Sequence, residues 1–598
     1  MTWSFSPGIL FAFARSAGST YVPGAVLPLS AAAPDTGTSS ARPATIAATT
    51  ELPPLRPQVV LSREPPLGPL PQSVLPRAPS PYVCVSIQVL PVLAPSRGGS
   101  AVEIRRTLGA ARPVYVPRKW ERGRNSPERG IIGAVARLPL VRAPIPLQAE
   151  ILAARAVGGL SRLAGAGGGT TLPGKLLWKL DPSAVDRLAA RLPRGSALVS
   201  ATNGKTTTAA LAAAILGPRT RLAHNASGAN LVSGVASTLL ADRDAELGLF
   251  EVDEGALPEV ARRVRPKALC LGNLFRDQLD RYGELELVAE RWREAVRRLP
   301  PETAVVVNGD DPQVGDLASG RPGALVFGVD DPRHAHPSLQ HAADSKYCLR
   351  CGTPYEYAAA YVGHLGDYRC PRCGHARPPL DLAARAIELD GLEGASFDLS
   401  APAGTTRVRI AVPGLYNVYN ALAAASLTIA LGASLDEVRL GLERAGAAFG
   451  RFERIAIGDR RLLVLLIKNP AGANEAIRTL VADGGPRLAV VALNDATADG
   501  KDVSWIWDVD FEPLLAGLER VVAAGDRAAE LALRFAYAGF DRGAIEVLPA
   551  LEEALDRGLE LTPPGGEFVV LPTYTAMLGL RKIVAGRGFT RPYWERAA

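Results

Sequence analysis

The sequence predicts an α/β protein: a larger domain on a mostly parallel sheet, an inserted four-cysteine ribbon, and a smaller Rossmann-like C-terminal domain. Three observations carry this. Apolar strand-length runs alternate with Ala/Leu-rich helical runs from about residue 190 to the C-terminus. One strand–helix junction reads Ser200-Ala-Thr-Asn-Gly-Lys205-Thr-Thr-Thr208. Two Cys-x2-Cys pairs interrupt the first alternation.

Strand-like runs fall at 197–200, 247–252, 267–272, 303–308 and 324–328, with helix-like runs at 207–216, 229–241, 285–298 and 418–431. A second series has strands at 462–467, 488–493, 520–524 and 567–571, and helices at 472–483, 527–538 and 549–557. An amphipathic helix is expected over 147–166, with Leu147, Ile151, Ala154, Val157, Leu160 and Leu163 at steps of three or four. The expected domains are therefore 146–449, carrying a ribbon at 346–378, and 450–598.

Residues 1–145 are rich in Pro, Ala, Ser and Arg and poor in periodic apolar patterning. Such a segment cannot bury enough surface to offset its ordering entropy, so a disordered leader, or an over-extended start, is expected. Residues 1–140 hold 15 basic and 6 acidic residues, a charge of +9, and the remainder sums to −2. The chain's net +7 is thus confined to the leader, and no nucleic-acid partner is expected of the nearly neutral body. No apolar stretch is long and charge-free enough to span a bilayer, and Met1 to Ala14 lacks a basic leader, so a cytoplasmic chain is expected.

At a strand–turn–helix junction the first helical N–H groups point outward and bind phosphate oxygens. The candidates here are Thr202, Asn203, Gly204, Lys205, Thr206 and Thr207. Lys205 can reach terminal phosphates and the Thr206 hydroxyl can ligate Mg²⁺, so a nucleoside triphosphate is expected. The leading glycine of the general phosphate-loop pattern is replaced by Val199.

Cys348-x2-Cys351 and Cys370-x2-Cys373 have zinc-ribbon spacing, each pair followed by a permissive glycine. Four thiolates leave no open position, so a structural zinc is expected, with His364 and His375 outside the ligand set. Cys270 reads as a core residue on an apolar strand.

Polar motifs recur at successive strand ends, where ligands bind in open α/β sheets. Glu251-Val-Asp253-Glu254 supplies a carboxylate opposite the loop threonine, suited to a second Mg²⁺ bond. Gly272-Asn273-Leu274 and Asn308-Gly-Asp310-Asp311-Pro end two further strands.

With Gly414-Leu-Tyr-Asn-Val-Tyr-Asn420-Ala-Leu-Ala-Ala and Gly450-Arg451-Phe-Glu453 added, these motifs make residues 146–598 resemble the Mur ligase superfamily. The ribbon, the stretch Asn494-Asp495 through Trp505-Ile-Trp-Asp508, and Leu571-Pro-Thr-Tyr-Thr-Ala-Met577 are similar to its MurT-type branch, the ligase subunits of glutamine-hydrolysing lipid II isoglutaminyl synthases. Departures from the amino-acid-adding ligases point the same way. Asp277-Gln278 stands where those have Asp-His, Lys468-Asn-Pro470 where they have His-Asn-Pro, and Ala201 replaces a loop glycine. No strand–helix alternation precedes residue 146 to build their N-terminal domain.

The resemblance implies ATP-dependent amidation of the D-glutamate α-carboxyl of the lipid II stem peptide, through an acyl phosphate, at the inner face of the bacterial membrane. It implies ATP, Mg²⁺ held by Thr206 and Glu251, Asn273 beside the nucleotide, an adenine contact from Asn420, a ribose contact from Asp310 and a phosphate-side contact from Arg451. Ammonia would come from a GatD-type glutaminase in a heterodimer, because no His accompanies a nucleophile-like Cys in this chain. Asp508, with Asp502 and Asp510 as alternatives, would orient that partner's histidine. Two rival readings are an amino-acid-adding Mur or folylpolyglutamate-type ligase and a zinc-ribbon nucleic-acid binder. The cysteine insertion and Lys468 speak against the first, the two α/β series against the second.

Overall fold

The computed structural model describes residues 171–590, apart from 227, 278–283, 341–342 and 447–451. The leader, the helix expected over 147–166 and Arg451 lie outside the described residues.

A nine-stranded sheet has the order β11-β10-β9-β6-β5-β4-β1-β3-β2. Its first six strands are β1 (Ser196–Ser200), β2 (Leu222–His224), β3 (Leu247–Glu251), β4 (Ala268–Leu271), β5 (Ala304–Asn308) and β6 (Leu325–Val329). They run parallel. Both faces of β1 are buried, as parallel strands between helical layers require. Its side chains alternate between two cores: Ala197 and Val199 pack into one, Leu198 into the other. Helix α1 (Lys205–Leu216) leaves β1 through the turn, and the Ala-rich helix α2 (Leu415–Ala430) packs against it.

Strand β1 is flanked by β3 on one side and β4 on the other. After β1 the chain winds outward to β2 and β3, then crosses to β4. The crevice beyond the carboxyl ends of β1 and β4 is therefore the topological switch point, where open α/β sheets bind ligands.

The sheet continues through β9 (Leu382–Leu389), parallel to β6, into β10 (Ala395–Ala401) and β11 (Gly404–Ile410), both antiparallel. This meander was not read from the sequence. Its inward face, Ala395, Phe397 and Leu399, alternates with polar residues such as Asp398, which pairs in register with Arg407. Only one face is packed, so the strands lack the continuous apolar runs of their parallel neighbours. The four cysteines flank a hairpin of β7 (Glu356–Val362) and β8 (Leu365–Arg369).

A six-stranded sheet has the order β12-β13-β17-β14-β15-β16. Strand β12 (Phe452–Ile457) is antiparallel to β13 (Arg460–Leu465). Strands β13, β14 (Leu488–Ala492), β15 (Arg520–Ala524), β16 (Ile545–Val547) and β17 (Glu567–Pro572) pair in parallel. Helix α3 (Pro470–Ala482) follows β13, starting on the Asn469 side chain, which accepts from the Gly472 N–H. Among the described residues no helix is long and apolar enough to cross a membrane.

Candidate nucleotide and ligase site

The turn after β1 places a left-handed residue, Gly204 (φ 87°), directly before α1. A Cβ there would come within 1.9 Å of Asn420 Oδ1, so only glycine fits between the loop and α2. The loop is braced from β4. Asn273 accepts from the Asn203 N–H at 2.9 Å, donates to the Asn203 carbonyl at 3.1 Å, and its own carbonyl accepts from the Thr202 N–H at 2.8 Å. The Thr202 hydroxyl accepts from the Phe275 N–H at 3.1 Å. A second braced strand end holds Glu251, whose backbone exchanges two 2.9 Å bonds with the Asn225 side chain.

Lys205 points back into the loop, with Nζ donating to the Ala201 and Thr202 carbonyls and to Glu254 Oε2 at 2.7 Å. Burial opposes its charge, but the carboxylates of Glu254, Asp253 and Glu251 outweigh that and hold its pKa above the ordinary lysine value. Burial likewise pushes against Glu254, while Lys205 and then Lys468 bring its pKa below the ordinary value. The loop lysine and three strand-end carboxylates thus form one electrostatic cluster.

A narrow cleft opens beside the loop. Asn203, Gly204, Thr207, Asn273, Tyr416, Tyr419 and Asn420 line one wall; Leu465, Lys468, Gly472 and Glu475 line the other. Its free volume is about 80 Å³, small against the roughly 300 Å³ of typical small-molecule sites. Contacts that join the walls include reciprocal amide bonds between Asn203 and Asn469 at 3.1 and 3.0 Å, and a 2.6 Å ion pair between Lys468 and the buried side chain of Asp277. Burial pushes the Asp277 carboxyl above the usual range.

The structure therefore gathers Thr202, Asn203, Gly204, Lys205, Thr207, Asn273 and Asn420 around one crevice, with Thr206 and Glu251 on the adjoining helix start and strand end. Asp310 is not among them. It is wholly buried, its carboxylate accepting from the Val329 N–H, the Tyr419 hydroxyl and Arg377, so it is turned away from the ribose contact expected of it. Glu254, Tyr419 and Glu475 were not singled out from the sequence. Glu254 and Tyr419 stood in quoted motifs, whereas Glu475 sits on an apolar helix and has meaning only once two chain segments meet.

The four cysteine sulfurs lie within 4.8 Å of one another, with Cys348–Cys373 and Cys351–Cys370 both at 3.5 Å. This donor set could hold a metal ion. Gly352 and Gly374 take positive φ at both knuckle turns. Burial opposes the Cys348 thiolate, but N–H bonds from Arg350 and Cys351 bring its pKa down to about 6. His364 and His375 stand outside the cluster, His375 bonded instead to the Tyr355 hydroxyl at 2.6 Å. Cys270 is fully buried, and burial pushes its thiol up to about 12.

Asp508 ends a short 3₁₀ turn, 34 % exposed, 3.4 Å from Arg276, in a depression that also includes Asp277, Lys468, Asp499 and Asp502. Its neighbour Trp507 is exposed and meets the exposed Tyr537 edge-on at 5.6 Å. Asp510 is tied to the Asn474 side chain by two bonds, and Asp502 accepts from the Ser504 N–H.

A phosphate-type loop at a switch point, faced by a second α/β sheet across a narrow cleft, defines a Mur-ligase-like α/β protein. Residues 199–358 match the Mur ligase middle domain family and residues 466–577 the MurT ligase C-terminal family. The chain is 34 % identical to the Streptococcus pneumoniae lipid II isoglutaminyl synthase (glutamine-hydrolyzing) subunit MurT, over 72 % of this chain and 95 % of that one. It is 31 % identical to the Staphylococcus aureus (strain N315) subunit MurT, over 68 % and 91 %. In fold it is similar to a pseudomurein peptide ligase type C from Methanothermus fervidus (TM-score 0.54, 20 % identity, 67 % of this chain and 80 % of that one). MurF from Acinetobacter baumannii is also similar (TM-score 0.51, 20 % identity, 69 % and 80 %). The chain belongs to the MurT family of the Mur ligase superfamily.

Proposed function

We propose that this chain is the ligase subunit that amidates the D-glutamate α-carboxyl of the lipid II stem peptide to D-isoglutamine, at the cytoplasmic face of the membrane. The observation that carries the reading is the braced loop at the switch point, with Lys205 and three carboxylates in one cluster. Family membership supplies the substrate class.

A carboxylate is a poor electrophile. Its oxygen attacks the γ-phosphorus of ATP, ADP leaves, and an acyl phosphate forms. Ammonia then attacks the acyl carbon and inorganic phosphate leaves. The protein supplies positioning and charge stabilisation. In this reading Lys205 exchanges Glu254 for the β/γ-phosphates, held with the amides of residues 203–207. Thr206 and Glu251 would hold Mg²⁺, which offsets phosphate charge. Asn273 keeps the loop in shape, and Asn420 faces the base.

The nine-stranded sheet with its ribbon would act as the ATPase domain, residues 146–449, and the six-stranded sheet as a Rossmann-like domain, 450–598. The sulfur quartet suits a structural Zn²⁺, whose thiolate bonds of about 2.3 Å span a tetrahedron of this size. A partner glutaminase would deliver ammonia, because the Cys270 thiol is inert and buried. The exposed Trp507–Tyr537 pair beside Asp508 suits that partner's docking, with Asp508 orienting its histidine.

The test is isotopic and direct. The chain with its glutaminase, ATP, Mg²⁺ and lipid II should move the amide nitrogen of labelled glutamine into the lipid, one ATP spent per nitrogen. Incorporation of free glutamate or of an amino acid instead would favour the amino-acid-adding reading.

A further inference from the structure

A hydrogen-bonded relay joins the cysteine ribbon to the wall of the cleft. Arg377 follows Cys373 by four residues. Its Nη1 donates to Asp310 Oδ1 and to the Val329 carbonyl, both at 3.0 Å, while its Nε lies 3.3 Å from Asp367 on β8. The other Asp310 oxygen accepts from the Val329 N–H at 2.8 Å and from the Tyr419 hydroxyl at 2.6 Å. Tyr419 precedes Asn420 on α2 and lines the cleft.

Both knuckles are tied down at another point. His375 Nε2 and Arg350 Nη2 lie 3.3 and 3.2 Å from Asp316. His375 and Arg377 therefore reach two aspartates of the segment that follows β5. Asp310 is wholly buried and the Arg377 side chain 13 % exposed. Taking such a pair out of water is costly and is compensated only by good geometry and further hydrogen bonds. Here the carboxylate accepts from three residues, and one of those bonds fixes an aromatic side chain at the candidate nucleotide site. A buried tyrosine hydroxyl needs such a partner to hold one orientation.

We propose that Arg377 and Asp310 are positioning residues, which fix Tyr419 and through it the nucleotide, so that the ribbon sets ATP affinity rather than the rate of chemistry. This rests on the nucleotide reading of the cleft.

The experiment uses the full chain with its glutaminase: unaltered, Arg377→Met, Tyr419→Phe and the double variant. Each is assayed for the Kd of a non-hydrolysable ATP analogue, KM for ATP, kcat and bound zinc. Each single variant should raise Kd and KM by about fivefold, the worth of one hydrogen bond, with kcat within about twofold and zinc retained. The double variant should be no weaker than the worse single, because both break the same relay. An unchanged Kd in Tyr419→Phe overturns the proposal, as do single effects that multiply in the double variant. If Arg377→Met fails to fold, Tyr419→Phe, which loses one oxygen atom, decides alone. Failure of the unaltered chain to bind the analogue strikes the nucleotide reading itself.

Discussion

Lys205 Nζ sits 2.7 Å from Glu254 Oε2, and both side chains are less than one-tenth exposed. The loop lysine is thus charged and already engaged before any phosphate arrives. In the proposed function, phosphate binding would exchange one buried anion for another at Lys205.

Removing this lysine should do two separable things. Lys205→Ala leaves Glu254 buried without its partner, a cost of about 3 kcal/mol, read in a urea titration. It should also lower kcat for ATP turnover by at least about a hundredfold, because the positioned positive charge on the transferring phosphoryl group is gone. The double variant Lys205→Met/Glu254→Leu should regain much of the stability and none of the activity.

The Lys468–Asp277 pair spans the cleft at 2.6 Å, with Asp277 8 % exposed. Lys468→Met should therefore destabilise the chain by about 3 kcal/mol, while Lys468→Met combined with Asp277→Asn should cost less than either single change. Chemical denaturation of the four proteins completes the cycle. A loss in the double variant equal to the sum of the two single losses would show that the pair is not coupled.

How much of this was legible in the sequence differs by element. The parallel strands β1, β3, β4, β5, β14, β15 and β17 were placed to within one or two residues, because strands buried on both faces read as continuous apolar runs. The 382–410 meander was missed, because one wet face dilutes its signal with Arg385, Asp398 and Arg407. The loop residues and cysteines were legible because their chemistry is local: spacing alone brings them together. The inward set of Asp310 was not legible, for the opposite reason. Its neighbours Arg377 and Tyr419 lie 67 and 109 residues away, and nothing local says that a strand-end aspartate turns inward to meet them.

The ribbon should contain one zinc ion per chain by metal analysis. Cys373→Ser removes one thiolate and should weaken metal retention against a chelator by at least about tenfold, without touching the phosphate loop. Full retention of zinc by that variant would assign the metal elsewhere.

The proposed role of Asp508 is tested by separating ammonia supply from ammonia use. Asp508→Asn should abolish glutamine-dependent amidation and leave amidation with high ammonium salt within about twofold, the pattern of a lost histidine-orienting group. Equal loss of both activities would place Asp508 in the ligase chemistry or the fold.

The central claim is that the γ-phosphoryl group of ATP passes to a carboxylate before nitrogen arrives. The most direct measurement follows oxygen. With stem-peptide lipid carrying ¹⁸O in the D-glutamate α-carboxyl, turnover with ATP and ammonia should release inorganic phosphate containing one ¹⁸O atom per amide formed. Phosphate free of the label, at a matching yield of amide, would contradict the acyl phosphate and the account built on it.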